Sequence, residues 1–216
     1  MQFLDWGLIN YEEAFEKQRL LNLEVQSDIE KQSIVFCQHP SIVTYGRTTS
    51  AEDYNHWSGQ KLEVDRGGKA TYHGPNQIII YPIIDLEDPK LKGLPSRNIK
   101  GYLDFLEKLI ISVLADFNIE ATQKCNVDNS KTGESLLGTG VWVGDKKIAS
   151  IGVSIKKWRS MHGLALNVNS LGDKVQNLRP CGFQPEQMTS MEDLLGEAVD
   201  TALVFKAFEL KLRKLL

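Results

Sequence analysis

The run IIIYPIIDL, residues 78–86, holds too few polar positions for a strand with one wet face, so it predicts a strand covered on both sides. Pro82 inside it removes a ladder donor, which predicts an edge position or a bulge. Shorter β-rich runs, SIVFC at 33–37 and SIVTY at 41–45, precede it, and KLEVDRGG at 61–68 reads as a strand ending in a double-glycine turn. Residues 47–61 are polar and predict a loop. A 3.6-residue period appears over 10–26, where Asn10 and Glu13 have the spacing of a capping box. The period returns over 97–118, where Ile99, Leu103, Leu106, Ile110, Val113 and Phe117 draw one apolar stripe. VWVGDKKIASIGVSI, residues 141–155, predicts a hairpin turning at Gly144-Asp145. GLALNVN at 163–169 predicts one more strand, and the tail from about 190 an amphipathic helix. Strands mixed with a few helices, without regular β-α-β alternation and without internal repeats, predict an α+β fold.

Composition narrows the class. With 216 residues, 42% hydrophobic and 25% charged, the chain is an ordinary globular one, and a single unit over 1–216 is expected. A net charge of −3 argues against a general nucleic-acid binder. Cys37, Cys125 and Cys181 are odd in number and form no CxxC pair, which favours a reducing compartment over a disulfide scaffold. The first twenty residues lack the basic start and apolar core of a signal peptide, and are too acidic for a transit peptide. No run approaches ~18 apolar residues. A cytoplasmic protein with no membrane association is expected.

Three segments could carry chemistry. In RPCGF, 179–183, Cys181 lies between proline and glycine, on a turn. It is either an accessible nucleophile, with its own N–H or that of Gly182 facing an oxyanion, or a small buried hydrophobe. In GDKKIASIG, strand alternation puts Lys147 on one face with Ala149, Ile151 and Val153. There a desolvated amine would pair with an anion such as a thiolate; the alternative is a solvent-facing lysine. In RGGKATYHGP, 66–75, Arg66 could hold a phosphate or carboxylate, and the glycines could admit a ligand close to backbone; the alternative is a plain glycine-rich turn. His73 and His162 each precede a glycine and either orient a proton or bond a carbonyl. The histidines show no ligand spacing, so no metal is expected.

RGGKATYHGPNQ, GVWVGDKKIASIG, HGLALNVN and RPCGF, in that order over roughly residues 30–185, resemble the lipoyl(octanoyl) transferase family. The resemblance implies the fold of the biotin and lipoate protein ligase catalytic domains, a mixed β-sheet packed with helices, and no cofactor. It implies transfer of an octanoyl group from octanoyl-acyl carrier protein to a lysine on the lipoyl domains of 2-oxoacid dehydrogenases and on the glycine cleavage H protein. It places the acyl-thioester on Cys181 and the lysine that activates it at Lys147. It places substrate contacts at Arg66, Gly67, Gly68, Lys69, Ala70, Thr71, Tyr72 and His73, at Ser150, Ile151 and Gly152, and at His162, Gly163, Leu164 and Ala165. On this reading apolar strands line an acyl tunnel. Two departures stand out: Asn76 replaces a glycine usual in the family, and the 126–139 loop is longer. KKWR at 156–159 is a candidate basic patch for the acidic carrier, or else a solvated turn. The alternatives are an ATP-dependent lipoate or biotin ligase of the same fold, which would need no cysteine, and a non-catalytic acyl-binding module.

Overall fold

The computed structural model describes residues 1–91, 93–124, 139–176 and 178–216; Cys125 and most of the 126–139 loop lie outside them. A strand that no alternation announced opens the chain: β1, Gln2–Leu8, whose residues are mostly exposed or half-buried. After it come α1 (Tyr11–Ser27), β2 (Ser33–Gln38), β3 (Ile42–Tyr45), β4 (Gln60–Glu63), β5 (Thr71–His73) and β6 (Gln77–Ile83). Then follow α2 (Ile99–Asp116), β7 (Thr122–Gln123), β8 (Gly140–Val143), β9 (Lys146–Lys156), β10 (Arg159–Asn167), α3 (Met191–Leu195) and α4 (Thr201–Leu215). Seven strands form one sheet in the order β1-β2-β6-β10-β9-β8-β7, and three form a second, β4-β3-β5. Pairing is parallel for β1–β2 and β3–β4 and antiparallel elsewhere, so both sheets are mixed.

Every residue of β6 is buried, as its composition requires. Alternation splits the run: Ile78 and Ile80 face a core built with α2 and α4, while Ile79, Tyr81 and Ile83 face a core built with α1. Pro82 is not at an edge, because β6 lies between β2 and β10. The β6–β10 ladder runs from Asn167–Gln77 to Leu164–Ile80 and is interrupted beside Pro82. It resumes in the same register, with Ser160 N donating to Ile84 O at 2.9 Å and an Asp85–Arg159 bridge. His162 has φ 58° within that gap, and the Ser160 hydroxyl donates to Pro82 O at 2.7 Å. The missing proline donor therefore falls where no ladder partner awaits it. Next to it, a Cβ on Gly163 would lie 2.1 Å from Ile80 O and 2.8 Å from Pro82 Cδ, so glycine is required.

Asn10 does precede α1, but its side chain makes no cap hydrogen bond, and Glu13 pairs with Lys17 instead. The buried face of α2 is Tyr102, Leu106, Leu109, Ile110, Val113 and Leu114, each worth ~1.5–3 kcal/mol of burial. It is turned from the expected stripe, since Tyr102 and Leu109 replace the exposed Ile99 and the half-buried Leu103 and Phe117. Among the described residues no helix is long and apolar enough to cross a membrane.

Candidate active site

Cys181 sits in a tight turn, Pro180–Gly182, with φ 57° and ψ 20°. A non-glycine residue in this left-handed region costs of order 1 kcal/mol and persists only where its surroundings hold it. They do so from both sides. Arg179 N donates to Asp53 O at 3.0 Å, and Cys181 N donates to Ala70 O at 2.7 Å. Gly182, with φ 81°, donates its N–H to Arg179 O at 2.9 Å, and a Cβ on it would lie 2.9 Å from Lys69 Cδ. Both amides expected to face an oxyanion are thus engaged by carbonyls. The turn needs these bonds to hold its shape, so the sequence expectation is corrected.

The sulfur is approached by two hydroxyls, Ser150 Oγ at 3.5 Å and Thr71 Oγ1 at 3.7 Å. Lys147 is 1% exposed. Its Nζ donates to Thr139 O at 3.0 Å and lies 5.5 Å from the Trp142 ring centroid and 5.3 Å from that of Phe183. Burial alone would push the Cys181 thiol up. The Lys147 charge outweighs it, together with the Ser150 and Thr71 hydroxyls and the Arg66 charge, and the thiol is held below its ordinary value. Burial likewise draws Lys147 below the usual lysine value, against the opposing pull of Cys181 and Glu107.

Lys147 does not share a face with Ala149, Ile151 and Val153. The β8–β9 register shifts between Val141 and Trp142: Val141 pairs with Ala149 and Trp142 with Lys147. Ile148 and Ala149 therefore both enter the core on the α2 side, with Ile151 and Val153 packed against it. This bulge leaves Lys147 on the same side as Ser150, three residues on; Ser150 contacts the Cys181 sulfur and the Lys147 charge acts on it.

The 66–75 segment is held by Arg66, which does not present a clamp for an anion. The guanidinium donates to Gly67 O, Lys69 O, Thr44 O and Thr44 Oγ1, all at 2.9–3.0 Å, and is a buried peg for its own loop. Gly67 N donates to Val153 O at 3.2 Å. Gly68 has φ 89°, and its carbonyl leaves room only for glycine at position 46. Alternation in β5 aims Thr71 and His73 at the site and Tyr72 away from it. Tyr72 packs with Val43 and Ala70, and its hydroxyl meets Ser41 Oγ at 3.0 Å, so Ala70 and Tyr72 support rather than line the cleft. Asn76 has no positive φ; its carboxamide donates to Ser170 O and its carbonyl accepts from Val168 and Asn169. KKWR is the β9–β10 turn, with Lys157 and Trp158 at φ 50° and 60°, Lys156 paired with Asp65, and Arg159 bonded to Gln26.

From Thr71 and Ser150 a narrow cleft of about 30 Å³ runs along Arg66, His73, Ile151, Gly152, His162, Gly163, Leu164 and Ala165. Three further lining residues, Tyr11, Ile79 and Tyr81, were not singled out from the sequence. The second and third alternate along β6 and were open to detection; Tyr11, on α1, had no such signal. The cleft wall is mainly apolar, with polar side chains set into it. Tyr11 OH meets His162 Nδ1 at 3.2 Å, and His73 Nε2 meets Thr44 Oγ1 at 3.3 Å. Burial, reinforced by the Arg66 charge, takes His162 down to about 3, and burial takes His73 well below its ordinary value, so both are neutral. The volume is that of about one water. A wider cleft of about 530 Å³, between the start of α2 and the end of α4, shares no residue with this one. Among the described residues no group of three His, Cys, Asp or Glu side chains is placed to hold a metal.

The family model of the lipoyl protein ligase A/B catalytic domain matches residues 10–213. An octanoyltransferase of Bdellovibrio bacteriovorus is 44% identical over 199 residues, 92% of this chain and 90% of that one. Among solved structures, a lipoate-protein ligase A bound with ATP superposes with a TM-score of 0.69 at 17% identity, covering 96% of this chain and 81% of its own. A bipartite lipoate protein ligase of Thermoplasma acidophilum, described with its E2 lipoyl domain, gives 0.64 at 16% identity, covering 96% and 80%.

Proposed function

The chain belongs to the lipoyl protein ligase A/B catalytic-domain family and is an acyltransferase, and we propose that it moves octanoyl groups through a thioester on Cys181. One observation carries the mechanism: a buried ammonium, Lys147, sits beside a thiol that two hydroxyls also face. A family member that only adenylated an acid would have no use for that pair.

The Cys181 thiolate attacks the carbonyl of octanoyl-acyl carrier protein. The new C–S bond forms, the bond to the pantetheine sulfur breaks, and the departing thiolate takes a proton from Lys147. A neutral lysine of a lipoyl domain then attacks the enzyme thioester. The amide forms, Lys147 recovers a proton from the attacking nitrogen, and Cys181 leaves as thiolate again. Burial of Lys147 suits it to the first step, since an amine drawn down from its usual value releases its proton more readily. With the amides of Cys181 and Gly182 engaged, the hydroxyls of Thr71 and Ser150 are the donors at hand for the tetrahedral oxygen. The acyl tail lies along β10 and the 66–75 loop, where each buried methylene contributes ~0.8 kcal/mol. The acceptors are lipoyl domains of 2-oxoacid dehydrogenases and the glycine cleavage H protein, met in the cytoplasm by residues 1–216 acting as one catalytic unit.

Mixing the protein with octanoyl-acyl carrier protein and weighing it intact tests this. The wild type should gain one octanoyl group and Cys181→Ala none, with its fold unchanged by circular dichroism. An unmodified wild type, or exchange of pyrophosphate into ATP, would overturn the reading.

A further inference from the structure

The lysine beside Cys181 is itself held, and the holder lies on another element. Lys147 Nζ donates to Thr139 O. The next residue, Gly140, has φ 149°, and a Cβ there would lie 2.7 Å from Lys147 Cε and 3.1 Å from Nζ. The ammonium therefore rests on the 139–140 peptide, directly over an α-carbon that carries no side chain. That peptide is anchored by α2: Gly140 N donates to Glu107 Oε1 at 2.9 Å. The other Glu107 oxygen accepts from Gln123 Nε2 at 2.9 Å, and Gln123 also donates to Asp104 Oδ1 at 2.9 Å, which joins α2 to β7. Glu107 is half-buried, at a place where a helix surface glutamate would ordinarily reach for water.

We propose that Glu107 is a positioning residue for the transfer reaction: it fixes the 139–140 peptide on which the Lys147 ammonium rests, and its negative charge keeps that ammonium facing Cys181. The proposal rests on the cysteine–lysine reading above and adds to it a third group from α2. The charged groups facing Lys147 are Cys181 from the 180–182 turn and Glu107 from α2, with the rings of Trp142 and Phe183 beside them. Those around Glu107 are Lys147, from β9, and Asp104, itself paired with Lys108 at 2.8 Å. Cys181 and Glu107 both favour a protonated Lys147 against the burial that opposes it.

Two variants separate the tether from the charge. Glu107→Ala removes both. The rate of Cys181 alkylation by iodoacetamide at neutral pH should fall about 5- to 10-fold, and kcat for octanoyl transfer should fall similarly, with KM for the donor unchanged. Glu107→Gln keeps an acceptor for Gly140 N and removes the charge. Lys147 then loses a favourable neighbour, so the alkaline limb of the kcat/KM profile should move to lower pH while the neutral-pH alkylation rate stays near the wild-type value. A merely structural glutamate would lower Tm in Glu107→Ala without changing alkylation, and that result overturns the proposal. If Glu107→Ala does not fold, Glu107→Gln decides: an unmoved alkaline limb overturns it. Alkylation needs no acyl donor. A wild type that took no octanoyl would sink the transfer reading and leave the comparison of alkylation rates to judge Glu107.

Discussion

Ser150→Ala removes one oxygen, 3.5 Å from the Cys181 sulfur, and leaves the bulge at Ile148, the lysine and the turn in place. A hydrogen bond to an ionised partner is worth ~1.5–3 kcal/mol at good geometry, and this contact is long even for sulfur. About 1 kcal/mol is a fair figure, which corresponds to a rate about 5-fold lower for every step that needs the thiolate. Thr71→Val should do less, because its hydroxyl is farther from sulfur, at 3.7 Å, and is also within 3.4 Å of Lys69 O. Lys147→Met should do most, about 100-fold, since it removes the charge that overcomes burial of the thiol and the acid–base group together. The assay is single-turnover acylation by octanoyl-acyl carrier protein, followed by quenched-flow mass spectrometry, with iodoacetamide alkylation across pH as a donor-free check. The order Lys147, then Ser150, then Thr71 is the content of the prediction. A Thr71 variant slower than the Ser150 variant, or a lysine variant with the wild-type pH dependence of alkylation, would refute the reasoning from distances and charge.

Acid should unfold the protein early. Burial holds His39 down to about 4 and His162 to about 3, with His73 well below its ordinary value, whereas in the unfolded chain each titrates near 6.5. Below that pH the unfolded state binds protons that the native state refuses. Stability is therefore intact above 6.5 and lost as pH falls towards 4, at ~1.4 kcal/mol per pH unit for each histidine. Urea midpoints measured at several pH values should drop accordingly, and a flat series between pH 6 and 4 would show that the histidines are not buried neutral. Ala165→Ile adds three carbons to the cleft wall beside Ile79. Competition between acyl donors should shift towards chains shorter than octanoyl, and an unchanged length profile would place the tail elsewhere.

Much of the frame was legible because the apolar pattern in β6, the Gly144-Asp145 turn and the amphipathic tail are local signals. Strands mixed with helices followed from them, and the mixed sheet came only with the family resemblance. What the pattern missed depends on pairing between distant strands. Pro82 implied an edge or a bulge, but its place inside the sheet depends on a gap in β10 that only the register of residues 77–85 against 159–167 defines. The Ile148 bulge carries no glycine or proline to mark it, so simple alternation put Lys147 with the wrong neighbours. Arg66 looked like an anion clamp because arginine beside glycines has that chemistry, but its four partners are carbonyls of its own loop and both oxygens of Thr44 on β3. The motifs still brought Cys181, Lys147, Ser150 and Thr71 into view; the structure sets the Ser150 and Thr71 hydroxyls against the sulfur, with the Lys147 charge acting on it.

The Cys181–Ala70 hydrogen bond joins positions far apart in the chain, and β5 and β9 each bring one of the sulfur's neighbours to the 180–182 turn. While a ribosome is still making this protein, or when only part of it has folded, residue 181 therefore carries an ordinary thiol, slow towards passing electrophiles. Under the proposed thioester mechanism, reactivity arrives only with the finished molecule, and a nascent chain is spared from being acylated before it can hand its cargo on.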